Sequence, residues 1–175
     1  MTMQLIQHQE LGSAQASITF SSIPQTYTDL YLLFSGRSDR TGVGTDDTVV
    51  QLNSTGSNQS TRILWGTGSS AASLTDTQPL IGEYPTSTNT ASTFGSFQVY
   101  IPNYTSSNAK SFSADGVGEN NATTSYQSIA AGLYNSSSAV TSILIKTGSG
   151  SNLSQYTSAT LFGILKGSDG VTTVT

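Results

Sequence analysis

No cysteine occurs among the 175 residues, histidine occurs once, and lysine and arginine together occur six times. Each shortage removes a class of function. Without cysteine there is neither a disulfide framework nor a thiolate metal site. A nucleophilic triad needs a base held by a third group. The one candidate, His8, lies in a polar N-terminal segment, where a solvated or interfacial ring is expected. The six cations, Arg37, Arg40, Arg62, Lys110, Lys146 and Lys166, are scattered and outnumbered by ten acidic residues. Phosphate neutralisation needs a basic stripe, so nucleic acid is not an expected partner. Nothing approaches the ~20 apolar residues of a membrane helix, and residues 1–10 lack the basic and apolar regions of a signal peptide. Synthesis in the cytoplasm, with no membrane partner, is the expectation.

Charge of either sign is scarce. Only 9% of residues are charged, against roughly 25% in an ordinary soluble domain, while about a third are Ser or Thr. A surface solvated by hydroxyls, amides and glycines has few long side chains to immobilise, so its flat faces dock at low entropic cost. That favours an assembly component over an enzyme. Disorder is the other outcome of a hydroxyl-rich composition, but it goes with high net charge and few apolar groups. Here the net charge is −4, and 8 Tyr, 6 Phe and 1 Trp are available for a core.

Helix periodicity with caps is nearly absent, whereas short β-branched and aromatic runs bounded by Gly, Pro, Asn and Ser recur. These predict strands over 16–20, 30–35, 48–53, 62–65, 79–83, 94–101, 111–114, 128–134, 140–146 and 159–165. Alternation assigns faces within them: Gly95, Phe97, Val99 and Ile101 inward, and Ile143 and Ile145 inward with Leu144 outward. Loops are expected over 37–47, 54–61, 66–77, 86–93, 104–109, 115–125 and 147–155. Connections of that length suit a sandwich or jelly roll better than a meander. The expected fold class is all-β: a single antiparallel β-sandwich, jelly-roll-like, with long loops, over residues 1–175.

No catalytic, cofactor-binding or metal-ligating residue is singled out. Asp29, Asp46, Asp47, Asp76, Asp115 and Glu119 supply carboxylates for acid–base hydrolysis, but nothing in their spacing makes two converge. The runs Asp39–Asp47 and Asp115–Asn120 set acidic oxygens beside glycine, as calcium loops do. Neither has EF-hand spacing, so solvated turns are expected, with Asp46/Asp47 the better cation candidate. The glycines at 42, 44, 148 and 150 open no helix and so cradle no phosphate. Asn53, Asn58, Asn103, Asn121, Asn135 and Asn152 head glycosylation sequons that a Ser/Thr-rich chain produces by chance. Trp65, Tyr84, Tyr104, Tyr126 and Tyr156 fall at strand ends or in loops. There they serve as core or subunit contacts or, on the alternative reading, as stacking platforms for sugars.

The stretch from Phe20 to Leu32 (FSSIPQTYTDLYL) with Arg37, then Gln51-Leu52-Asn53 with Thr55-Gly56-Ser57-Asn58, resembles small virion proteins of tailed bacteriophages. The segments Ala139–Ile145 and Tyr156–Ile164 carry the same resemblance. It implies a structural virion protein, a capsid decoration or cement protein on the outer surface of the head, often a homotrimer, with the major capsid protein as partner and no cofactor. Residues 1–14 and 166–175 are expected as extended arms contacting neighbouring subunits, with the tail Gly167–Thr175 clamped by them. The alternative is a tail or fibre module binding host-surface glycans through its loop aromatics.

Overall fold

The computed structural model describes residues 2–119 and 126–165. Among these there are strands and no helix: β1 Thr2–Glu10, β2 Ser17–Phe20, β3 Asp29–Gly36, β4 Thr45–Leu52, β5 Gln59–Gly66, β6 Ala71–Asp76, β7 Leu80–Pro85, β8 Gly95–Ile101, β9 Lys110–Gly118, β10 Tyr126–Tyr134, β11 Ile143–Thr147 and β12 Ser158–Leu165. They form an antiparallel sandwich of unequal sheets. Eight strands run in the order β1-β12-β3-β8-β9-β10-β5-β6, and four run β2-β11-β4-β7. With the β9–β10 hairpin inserted between β8 and β5, the order β2-β11-β4-β7 against β3-β8-β5-β6 has the connectivity of a jelly roll.

The expected alternation holds where one face is covered. Phe97, Val99 and Ile101 are buried while Ser96 is exposed, and Ile143 and Ile145 are buried with Leu144 half-buried. Phe34 from β3 and Phe97 from β8 meet Tyr84 from β7 across the sandwich, with ring centroids 5.8–6.2 Å apart. These edge and tilted contacts join the two sheets at the centre of the core.

Three segments depart from the expectation. Residues 66–77, expected as a loop, contain β6, whose side chains are almost all exposed. Residues 1–14, expected as an arm reaching to a neighbour, contain β1, which pairs with β12 of the same chain. Neither edge strand buries a continuous apolar face, so neither shows the alternation by which strands are recognised; backbone pairing holds both. The third segment is 115–118, which continues β9 rather than opening a loop. Its Gly116 lies directly opposite Phe97, and a Cβ there would sit 2.0 Å from the Phe97 ring. Gly132 takes the Phe112 ring in the same way. These glycines are sockets for aromatic rings rather than turn signals. The tail expected to be clamped, 167–175, lies outside the described residues, as do 120–125.

Hydroxyls and amides secure the long connections. Arg37, 8% exposed, donates to the carbonyls of Asn89, Thr90 and Thr93, fastening the 86–93 loop. Asn53 donates to Tyr134 Oη and the Ala139 carbonyl and accepts from the Thr141 amide, so its sequon amide is engaged in packing. Buried Lys110 donates to the carbonyls of Ser136 and Ser138, and burial lowers its pKa.

Candidate functional site

Two places on the sandwich concentrate unusual chemistry. The first is a small cavity where β5 and β6 pass beside β7, lined by Asp47, Ile63, Trp65, Leu74, Leu80, Gly82, Glu83, Tyr126 and Ser128. Asp47 and Glu83 stand directly opposite each other on β4 and β7. Burial raises the pKa of each carboxyl, and the neighbouring carboxylates raise both further. Arg40 offsets part of this at Asp47, and a Thr45 hydrogen bond offsets part at Glu83. One Glu83 oxygen, Oε2, is buried without a hydrogen-bond partner. Glu83 lay inside an expected strand and so was not counted among loop acids; only the pairing of β4 with β7 brings it to Asp47.

Two close carboxylates with raised pKa suggest acid–base chemistry, but size decides against a sugar substrate. The cavity offers about 40 Å³, room for about three waters. A pyranose ring does not fit.

The remaining candidates disperse. Asp46 is buried and accepts from Ser38 Oγ and Ser149 Oγ, both at 2.7 Å, and lies 3.5 Å from Arg40 Nη1. Asp39 accepts from the Asn152 amide and side chain. Asp39 and Asp46 of the candidate cation loop thus spend oxygens on protein donors, and among the described residues no group of three or more His, Cys, Asp or Glu converges for a metal. Asp29 accepts from Tyr100 Oη and the Asn103 amide, Asp76 from the Gln78 amide, and Asp115 from Gln98 Nε2. His8 lies on β1, its Nδ1 2.8 Å from Thr160 Oγ1. Of the five aromatics, Tyr84 and Tyr104 are fully buried in the core, Trp65 and Tyr126 share the small cavity, and Tyr156 is 62% exposed elsewhere.

The second place is the outer face of the eight-stranded sheet, opposite the four-stranded one. Register defines its cross-strand rows. One row runs from Thr160 through Leu33, Gln98, Asp115 and Ile129 to Leu64. The next runs from Phe162 through Tyr31, Tyr100, Ser113 and Ala131 to Arg62. Outward positions of an antiparallel sheet are normally polar, yet Ile129 is 61% and Leu64 63% exposed, and Val117, Leu133, Leu33 and Leu5 are exposed at other points of the sheet, with Gln98 and Asp115 between Leu33 and Ile129. Three shallow depressions of about 370, 320 and 280 Å³ mark this face between β8 and β6. The exposed aliphatic pair Ile129 and Leu64, cross-strand neighbours on β10 and β5, marks an interaction surface on this face. Leu144, the outward misfit in the sequence, lies on β11 of the four-stranded sheet and does not point to this face.

Comparison with protein-family models, with curated proteins and with solved structures gives no match.

Proposed function

We propose that this chain is a non-enzymatic structural protein of a tailed-phage particle, acting as a capsid decoration protein on the outer surface of the head. The observation that carries an assembly role is the outer face of the large sheet, where Leu64 and Ile129 stand exposed among hydroxyls, amides and few charges, on a protein whose composition makes docking cheap. The resemblance of its strand and turn sequences to small virion proteins supplies the particle and the partner, the major capsid protein. A decoration protein binds only the assembled lattice and stabilises it by mass action. The acidic balance suits an outer surface rather than one facing packaged DNA.

Antibody labelling of purified particles tests this. Label over the whole head is expected; unlabelled heads overturn it. The reading as a glycan-binding tail or fibre module loses Tyr84 and Tyr104 to the core and keeps Trp65 and Tyr126 at a cavity too small for a sugar ring. Label confined to the tail would restore it.

A further inference from the structure

We propose that the outer face of the eight-stranded sheet is closed by the same face of a second copy of this chain, in a two-fold pair centred on β10. This rests on the reading above that the face is the assembly surface, and it names the first partner there.

Charge selects the partner. Arg62 on β5 and Asp115 on β9 flank β10 from opposite sides: Arg62 is opposite Ala131 and Asp115 opposite Ile129, one outward position further along the strand. Both are exposed. A two-fold axis in the plane of the contact exchanges the two positions, so each copy's Arg62 meets the other's Asp115. The contact is then neutral, with Ile129 and Ala131 of β10 between the ion pairs. A partner surface of one sign would set like charge against one of the two. Asp115 is already oriented, its carboxylate accepting from Gln98 Nε2 at 2.6 Å.

Size agrees with a weak, concentration-dependent pair: centred on β10, the two copies overlay the five strands β8-β9-β10-β5-β6, which at about 4.8 Å spacing and roughly 25 Å length give a footprint of roughly 600 Å², below the ~800 Å² per partner of a standard interface. Two sheets stack face to face about 10 Å apart with side chains interdigitating. An arginine spans that gap.

Sedimentation equilibrium on the full chain, from about 1 to about 100 µM, tests the pairing across ordinary homo-oligomer affinities. A mass of two chains, or an even multiple, is expected. Ile129→Glu should halve it while leaving the melting transition in place. Arg62→Asp and Asp115→Arg should each weaken association about tenfold or more, and the double swap should restore it. A monomer throughout the range, an odd-numbered assembly indifferent to Ile129→Glu, or a double swap no better than its parents overturns the proposal. A monomer that still labels phage heads would sink the pairing alone. A pair that labels no head would sink the decoration reading alone.

Discussion

The inner and outer faces of the eight-stranded sheet come from alternate residues of the same strands, yet they are built on different rules. On β9 and β10 the inward set is Lys110, Phe112, Ala114, Gly116 and Gly118, then Ser128, Ala130, Gly132 and Tyr134, mostly small residues among which Gly116 receives the Phe97 ring and Gly132 the Phe112 ring. The outward set includes Val117, Ile129 and Leu133, large aliphatics that stay exposed among the described residues. Hydrophobicity alone would rank the outer positions as the better core. Burial follows instead from which face the four-stranded sheet covers. Inside, shape is tightly constrained; outside, apolar character is kept without packing constraint.

That contrast can be broken at several points. Phe97→Ala should cost the most, about 3–5 kcal/mol, because it empties the ring contacts to Phe34 and Tyr84; urea denaturation measures it. Gly132→Ala places a Cβ about 2.0 Å from the Phe112 ring and should cost about 1–3 kcal/mol through overpacking. A neutral result would show that the glycine sockets are not needed.

The carboxylates at the small cavity sharpen the comparison through pH. Asp47 and Glu83 have native pKa values raised above their ordinary 3.8 and 4.5, so the native state binds more protons than the unfolded chain in the interval just above those values. Their contribution is therefore full below the ordinary carboxylate range and is lost as pH rises through the raised native values. Thermal melts should show stability rising as pH falls from neutral into that interval, and Glu83→Gln should flatten the rise. An unchanged slope in Glu83→Gln would mean that the pair is not coupled to folding.

The smallest effect is expected outside. Leu64→Thr, measured at concentrations where the chain is monomeric, should change stability by no more than about 0.5 kcal/mol. A loss comparable to that of Phe97→Ala would mean that the outer face is covered within a single chain.

Much of the sandwich was legible because alternation is local. The runs around Phe97 and Ile143 show it plainly, and both strands and their inward faces are where it places them. The edge strands β1 and β6 were illegible for the same reason: with side chains exposed on both faces, nothing in AASLTD distinguishes a strand from a loop. Glycines misled in one direction only. Gly116 and Gly118 read as turn residues, and the ring that explains Gly116 comes from β8, well before it in the chain. At the small cavity Asp47 was visible as a loop acid, whereas Glu83 was hidden within an expected strand, and their meeting depends on the β4–β7 register.

By itself the sequence determined an all-β chain without helices among the described residues, most of its strands, the inward sets around Phe97 and Ile143 and a composition poor in charge. These follow from residue chemistry and a period of two, properties that a short window contains. Only the tertiary structure decided that the sheets are unequal, that Asp47 faces Glu83, that Phe97 and Phe112 rest on glycines, and that Leu64 and Ile129 stay exposed on the outer face among the described residues. Each of those depends on pairing between segments distant in sequence, where backbone hydrogen bonds choose neighbours that no local pattern records.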